Sequence, residues 1–114
     1  MRKIEQQMVK ALKGWKNWQL GNTRVKIDEA SGIREVYLHN NRIVQIQSLD
    51  GNGLRFEFAT CGWTTRTTMS RLNSVAEAFN TPVRFGIKNF SLAVYVQGDR
   101  LHEPSDPFPF EQWN

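Results

Sequence analysis

Arg34-Glu35-Val36-Tyr37-Leu38-His39-Asn40-Asn41-Arg42-Ile43-Val44-Gln45-Ile46 and, a few residues on, Leu54-Arg55-Phe56-Glu57-Phe58-Ala59 decide the fold of this chain. In the first stretch Val36 and Leu38 alternate with Glu35 and Tyr37; in the second Leu54, Phe56 and Phe58 alternate with Arg55 and Glu57. A period of two places one set on each face of a strand, so both stretches predict strands with one buried face. Asn40-Asn41 predicts a tight hairpin turn, because Asn tolerates positive φ, and Asp50-Gly51-Asn52-Gly53 predicts a second turn. Upstream, residues 23–29 set Val25 and Ile27 against Arg24, Lys26 and Asp28, and Ser31-Gly32 turns the chain. Four strands joined by short turns make an antiparallel meander.

Helical spacing flanks the meander. Ile4, Met8, Ala11, Leu12 and Trp15 recur at intervals of three and four, which predicts an amphipathic helix over residues 2–15 that frays at Gly14. Lys3, Lys10 and Lys13 fall opposite that stripe. Met69, Leu72, Val75, Ala76 and Phe79 predict a second helix over 65–80, with Thr64 or Thr65 as its N-cap and Pro82 shortly beyond its end. Phe90, Leu92, Val94 and Val96 then predict a last strand, and Gly98-Asp99 a turn into a short return through Leu101. The fold class is α+β: an antiparallel sheet of four to five strands with two helices on one face, in the order α-β-β-β-β-α-β. Residues 1–101 form the domain; residues 102–114, with three prolines in six residues, form an acidic aromatic tail that is neither helix nor central strand.

With 114 residues there is room for one domain and a modest core. No apolar run approaches the length of a membrane span, and no apolar run follows the charged N-terminus, which argues against a secretory signal. Cys61 is the only cysteine, so no intramolecular disulfide forms and a reducing cytoplasm is the expected location. The net charge of +4 is unevenly placed. Residues 1–26 carry Arg2, Lys3, Lys10, Lys13, Lys16, Arg24 and Lys26 against Glu5 alone, whereas residues from 99 onward carry Arg100 against Asp99, Glu103, Asp106 and Glu111.

Three features carry candidate chemistry. Lys3, Lys10, Lys13, Lys16 and Arg24, with Trp18 as a stacking platform, suit a phosphate backbone and its bases; the plain alternative is a solvated helix face, with Trp15 in the core. Thr64, Thr65 and Arg66 suit an anion at a helix start, a nucleotide for example; the plain alternative is capping. Phe108, Phe110 and Trp113 suit partner recruitment by an exposed tail; the plain alternative, and the favoured one, is a strap across an apolar surface. No catalytic set stands out. His39 and His102 lack metal-ligand spacing, no metal or cofactor is expected, and Cys61 at a strand end is expected to be a small buried residue.

Several short pieces occur together in a recognisable order: Arg2-Lys3-Ile4-Glu5-Gln6-Gln7-Met8, Lys16-Asn17-Trp18, Gly21-Asn22-Thr23, and Val36-Tyr37-Leu38-His39-Asn40-Asn41. Trp63, Thr67-Thr68, Ser70-Arg71-Leu72-Asn73 and Lys88-Asn89-Phe90 complete the set. With these the chain resembles, over residues 2–90, a family of small proteins encoded by bacteriophages, marine ones especially. Where that family has a Gly in the hairpin after His39, this chain has Asn40-Asn41, which suits a tight turn equally well. The resemblance implies a phage origin and brings no catalytic residue with it. The leading expectation is a non-enzymatic accessory protein that binds a host or defence protein through the uncovered sheet face, at Arg34, Tyr37, Arg55 and Glu57, and through the tail. The alternative is a protein that binds single-stranded DNA or RNA through the basic helix. No membrane partner is expected, and an exposed sheet edge makes a homodimer a further expectation.

Overall fold

The computed structural model describes residues 1–113. Helix α1 (Lys3–Lys13) is followed by β1 (Trp18–Leu20), β2 (Thr23–Asp28), β3 (Ile33–Leu38), β4 (Asn41–Leu49) and β5 (Gly53–Phe58). Helix α2 (Arg66–Ala78) precedes β6 (Val83–Lys88), β7 (Ser91–Val96), β8 (Asp99–Arg100) and β9 (Phe108–Trp113). The fold is α+β, as the two periodicities require. The meander β2-β3-β4-β5 forms as expected and is extended at both edges, giving a six-stranded antiparallel sheet in the order β1-β2-β3-β4-β5-β9. A second sheet, β6-β7-β8, stands beside it.

Both helices cover one face of the large sheet. Met8 and Leu12 of α1 and Leu72 and Val75 of α2 share a core with Val25, Val36, Val44, Ile46, Phe56 and Phe58. Six strands at ~4.8 Å span about 24 Å, more than two helices packed 8–10 Å apart cover. The β6–β7 hairpin supplies the missing cover. Phe85 lies 4.7 Å from Phe58 and 6.3 Å from Phe108, ring centre to ring centre, and closes the β5–β9 side of the core.

Asn73 of α2 fixes that hairpin. Its amide nitrogen donates to the Phe85 carbonyl at 2.8 Å, and its amide oxygen accepts the Phe85 N–H at 2.7 Å, so one side chain replaces a neighbouring strand at the edge of β6. Asn73→Ala leaves both backbone groups without that partner. It is expected to cost about 2 kcal/mol, read as a lower urea midpoint at unchanged slope.

Several expectations are corrected in detail. The β3–β4 turn residues are His39 and Asn40, at φ 50° and 65°, and not Asn40-Asn41: Asn41 is already in β4, opposite Leu38. Phe90 does not point into the core, because it sits with Asn89 in the two-residue β6–β7 turn, at φ 64° and 52°. Trp15 follows α1 at φ 53° and is only half-buried. Cys61 is exposed, not buried. The tail contributes β9, an edge strand compatible with Pro109, which has no N–H to offer a further strand. With three-residue β1 at the opposite edge, both ends of the sheet are poor templates for pairing between copies.

Candidate functional site

Glu5 sits on the buried stripe of α1, in step with Met8 and Leu12, and is 2% exposed. Its carboxylate is 2.8 Å from the Arg71 guanidinium and accepts the Ser70 hydroxyl at 2.5 Å. Arg71 also donates to the Thr23 hydroxyl at 3.0 Å, which ties α1, α2 and β2 into one buried polar cluster. Burial pushes the Glu5 carboxyl up, but hydrogen bonds from Ser70, Arg71 and the Arg2 N–H together outweigh it and hold the group below the usual range. The cluster was legible in part: Glu5 and Arg71 are opposite charges at the three-and-four spacing of the two apolar stripes.

The consequence is electrostatic. Arg2, Lys3, Lys10, Lys13, Lys16, Arg24 and Lys26 are all exposed, while Glu5, the only carboxylate among residues 1–26, is buried. Residues 3, 10 and 13 form a ridge along α1 that extends about 15 Å at 1.5 Å per residue. Lys10, Lys16 and Trp18 meet at a groove of about 240 Å³ between α1 and β1, with Gln7 and Asn17 on its walls. Trp18 is half-buried against the core and presents only part of its ring. Lys13 lies over the Phe79 ring at 5.8 Å. Arg24 belongs to the opposite, uncovered face of the sheet, where its guanidinium lies 4.5 Å from the Tyr37 ring centre.

On that uncovered face Tyr37, Arg55 and Glu57 stand where the alternation places them. Arg42 pairs with Glu35 at 3.0 Å, and the Tyr37 hydroxyl donates to Glu35 at 3.3 Å. Arg34 is not among them. It shares the parity of Val36 and Leu38, faces inward and is 6% exposed. Its guanidinium lies between Trp15 at 4.1 Å and Phe79 at 5.2 Å and donates to the Leu12 carbonyl at 3.1 Å, closing the C-terminal end of α1. Phe108 and Phe110 likewise turn inward, opposite Phe58 and Phe56, and only Trp113 remains exposed.

A cleft of about 560 Å³ opens at the start of α2. Leu38, Ile43 and Trp63 supply apolar wall, and Thr60, Thr65 and Thr68 line it with methyls and hydroxyls. Thr65 is the N-cap and accepts the Thr68 N–H at 3.2 Å. Neither Thr64 nor Arg66 lines the cleft, and Arg66 lies instead beside Met69, Gly86 and Ile87 on the hairpin side, so the three candidate anion ligands do not converge. Although Cys61 is exposed, partial desolvation of its thiol and the Asp106 carboxylate push the thiol up, which keeps it protonated at neutral pH. Among the described residues no group of three or more His, Cys, Asp or Glu is placed to hold a metal ion, and no helix is long and apolar enough to cross a membrane.

The family model described as Kyanoviridae Gp96 protein matches residues 1–113. The chain belongs to this phage protein family. The match also covers β7, β8 and β9, which the shorter resemblance over residues 2–90 leaves out. No curated protein and no solved structure matches the chain. Two of the pieces that carry the resemblance have structural roles: Glu5 meets Ser70 and Arg71 across the helices, and Asn73 holds β6.

Proposed function

We propose that this family member is a non-enzymatic phage accessory protein of the host cytoplasm whose ligand is nucleic acid, held by the cationic face of α1 and the β1 edge. The observation that supports this reading is the internal pairing of Glu5 with Arg71. It leaves Arg2, Lys3, Lys10, Lys13 and Lys16 on this side with no exposed carboxylate among residues 1–26. Such a surface gains affinity by releasing counterions from a phosphate backbone, without reading sequence. In fluorescence anisotropy with labelled single-stranded DNA, RNA and duplex DNA, binding is expected to weaken steeply between low and near-physiological salt. Lys10→Glu with Lys13→Glu is expected to weaken every sequence alike and to reduce the slope of log affinity against log salt by about 1.4 for a single strand. Binding indifferent to salt and to the double change would count against the reading.

A second reading keeps a host or defence protein as partner on the uncovered sheet face. The preset cluster of Arg24, Tyr37, Glu35 and Arg42, beside Arg55, Glu57 and exposed Trp113, favours it. Under this reading a purified partner is released by Tyr37→Ala with Arg55→Glu, and not by the lysine changes.

A further inference from the structure

The two helices run parallel. Glu5 near the start of α1 meets Ser70 and Arg71 near the start of α2, and Lys13 at the end of α1 meets Phe79 just beyond α2. Strand β6 returns antiparallel to α2, so Phe85 is level with Asn73, and Ile87 lies beside Arg66. The β6–β7 turn therefore projects at the same end of the molecule as both helix starts and the Trp63 loop.

Phe90 in that turn is 97% exposed and holds φ 64°. Left-handed backbone is unfavourable for a bulky side chain, and full exposure gives its ring no packing in return. Folding alone prefers Gly at this position. Trp63, at the mouth of the cleft, is 61% exposed. Arg2, Arg66 and Lys88, all exposed, stand at this end, and residues 83–98 contain no carboxylate; Asp106, near the Trp63 loop, is held by the Thr60 N–H and hydroxyl. The Lys3 end of the α1 ridge opens onto the same surface.

We propose that this end is a platform for single-stranded nucleic acid: bases stack on Phe90 and Trp63 while Arg2, Arg66 and Lys88 hold the phosphates. Flat rings need unpaired bases, and cations beside them suit the backbone between those bases. A duplex, whose bases are already stacked, gains nothing from the rings. The inference rests on the nucleic-acid reading above and names the form of ligand and the stacking residues.

The test is anisotropy with a labelled unstructured DNA oligonucleotide, its RNA counterpart and a DNA duplex, using the full chain and the variants Phe90→Gly, Phe90→Trp and Trp63→Ala. Phe90→Gly and Trp63→Ala are each expected to weaken single-strand binding about five- to a hundredfold and leave duplex binding unchanged. Phe90→Trp is expected to retain affinity. The melting temperature of Phe90→Gly stays level or rises, which separates lost stacking from lost folding. If both ring variants bind single strands like the parent while Lys10→Glu with Lys13→Glu weakens binding, the platform is refuted and the cationic reading stands. Equal losses on duplex and single strand also refute it. A parent chain that binds no nucleic acid at low salt overturns both.

Discussion

Arg71→Ala is expected to lower the melting temperature by about 10–25 °C at pH 7. Removing one member of a buried pair leaves the other charge uncompensated, at a cost of about 3–5 kcal/mol, and a chain of this size converts each kcal/mol into several degrees. Here Glu5 would keep the neutral donors Ser70 and the Arg2 N–H but lose its cation, and Thr23 would lose its buried donor. In the parent, Glu5 is held below its usual range, so its contribution is present above the unfolded carboxyl value of about 4.3 and is lost as pH falls through the folded value. Without Arg71 the sign reverses: burial dominates, the carboxyl moves up, and mild acid neutralises the stranded charge. The melting temperatures of parent and variant should therefore converge as pH is lowered from 7 towards 5. Circular dichroism melts across that range check both points. A variant within ~3 °C of the parent at pH 7 would show that the pair contributes little. Glu5→Leu with Arg71→Met, which fills the site with apolar groups, is expected to recover most of the loss.

The same pair shows how far the sequence reveals the molecule. Alternation in β3 and β5 and three-and-four spacing in α1 and α2 are local signals, because each residue's face is set by its own element. They locate both helices and the meander. Arg34 shows that parity is stronger than residue type: it stands two residues from Val36 and therefore faces inward, where two aromatic rings and a helix-end carbonyl receive its charge. The β1 strand is three residues long and carries too few positions to show a period. Phe90 lies outside its strand because Asn89 and Phe90 close a two-residue turn, a fact of φ that hydrophobicity does not report. The charge asymmetry of residues 1–26 is plain from composition, but its strength at the surface is not. That depends on Glu5 finding Arg71, a contact between residues 66 positions apart. Likewise, the shared end of Phe90, Trp63 and Arg66 exists only once α2 and β6 are antiparallel.

Removing residues 102–114 tests the strap that the tail makes, since a detached tail would leave the domain unchanged. In the structure residues 102–113 pack against it. Phe110 lies opposite Phe56 and Phe108 opposite Phe58, Gln112 donates to the Phe79 carbonyl at 2.7 Å, and Asp106 accepts the Thr60 N–H at 3.0 Å and its hydroxyl. Two half-buried Phe rings and these polar contacts amount to about 3–5 kcal/mol, so the truncated chain is expected to melt about 10–20 °C lower. It would also present β5 as an unpaired edge with Leu54, Phe56 and Phe58 beside it, a template for pairing between copies. Size-exclusion chromatography should therefore show oligomers or aggregates that the full chain does not form. Phe108→Ala with Phe110→Ala separates the two effects: it removes the rings while keeping the strand, so it should lower the melting temperature without exposing the β5 edge. A truncated chain that stays monomeric and melts within ~2 °C of the parent would mean that β9 contributes neither packing nor edge protection.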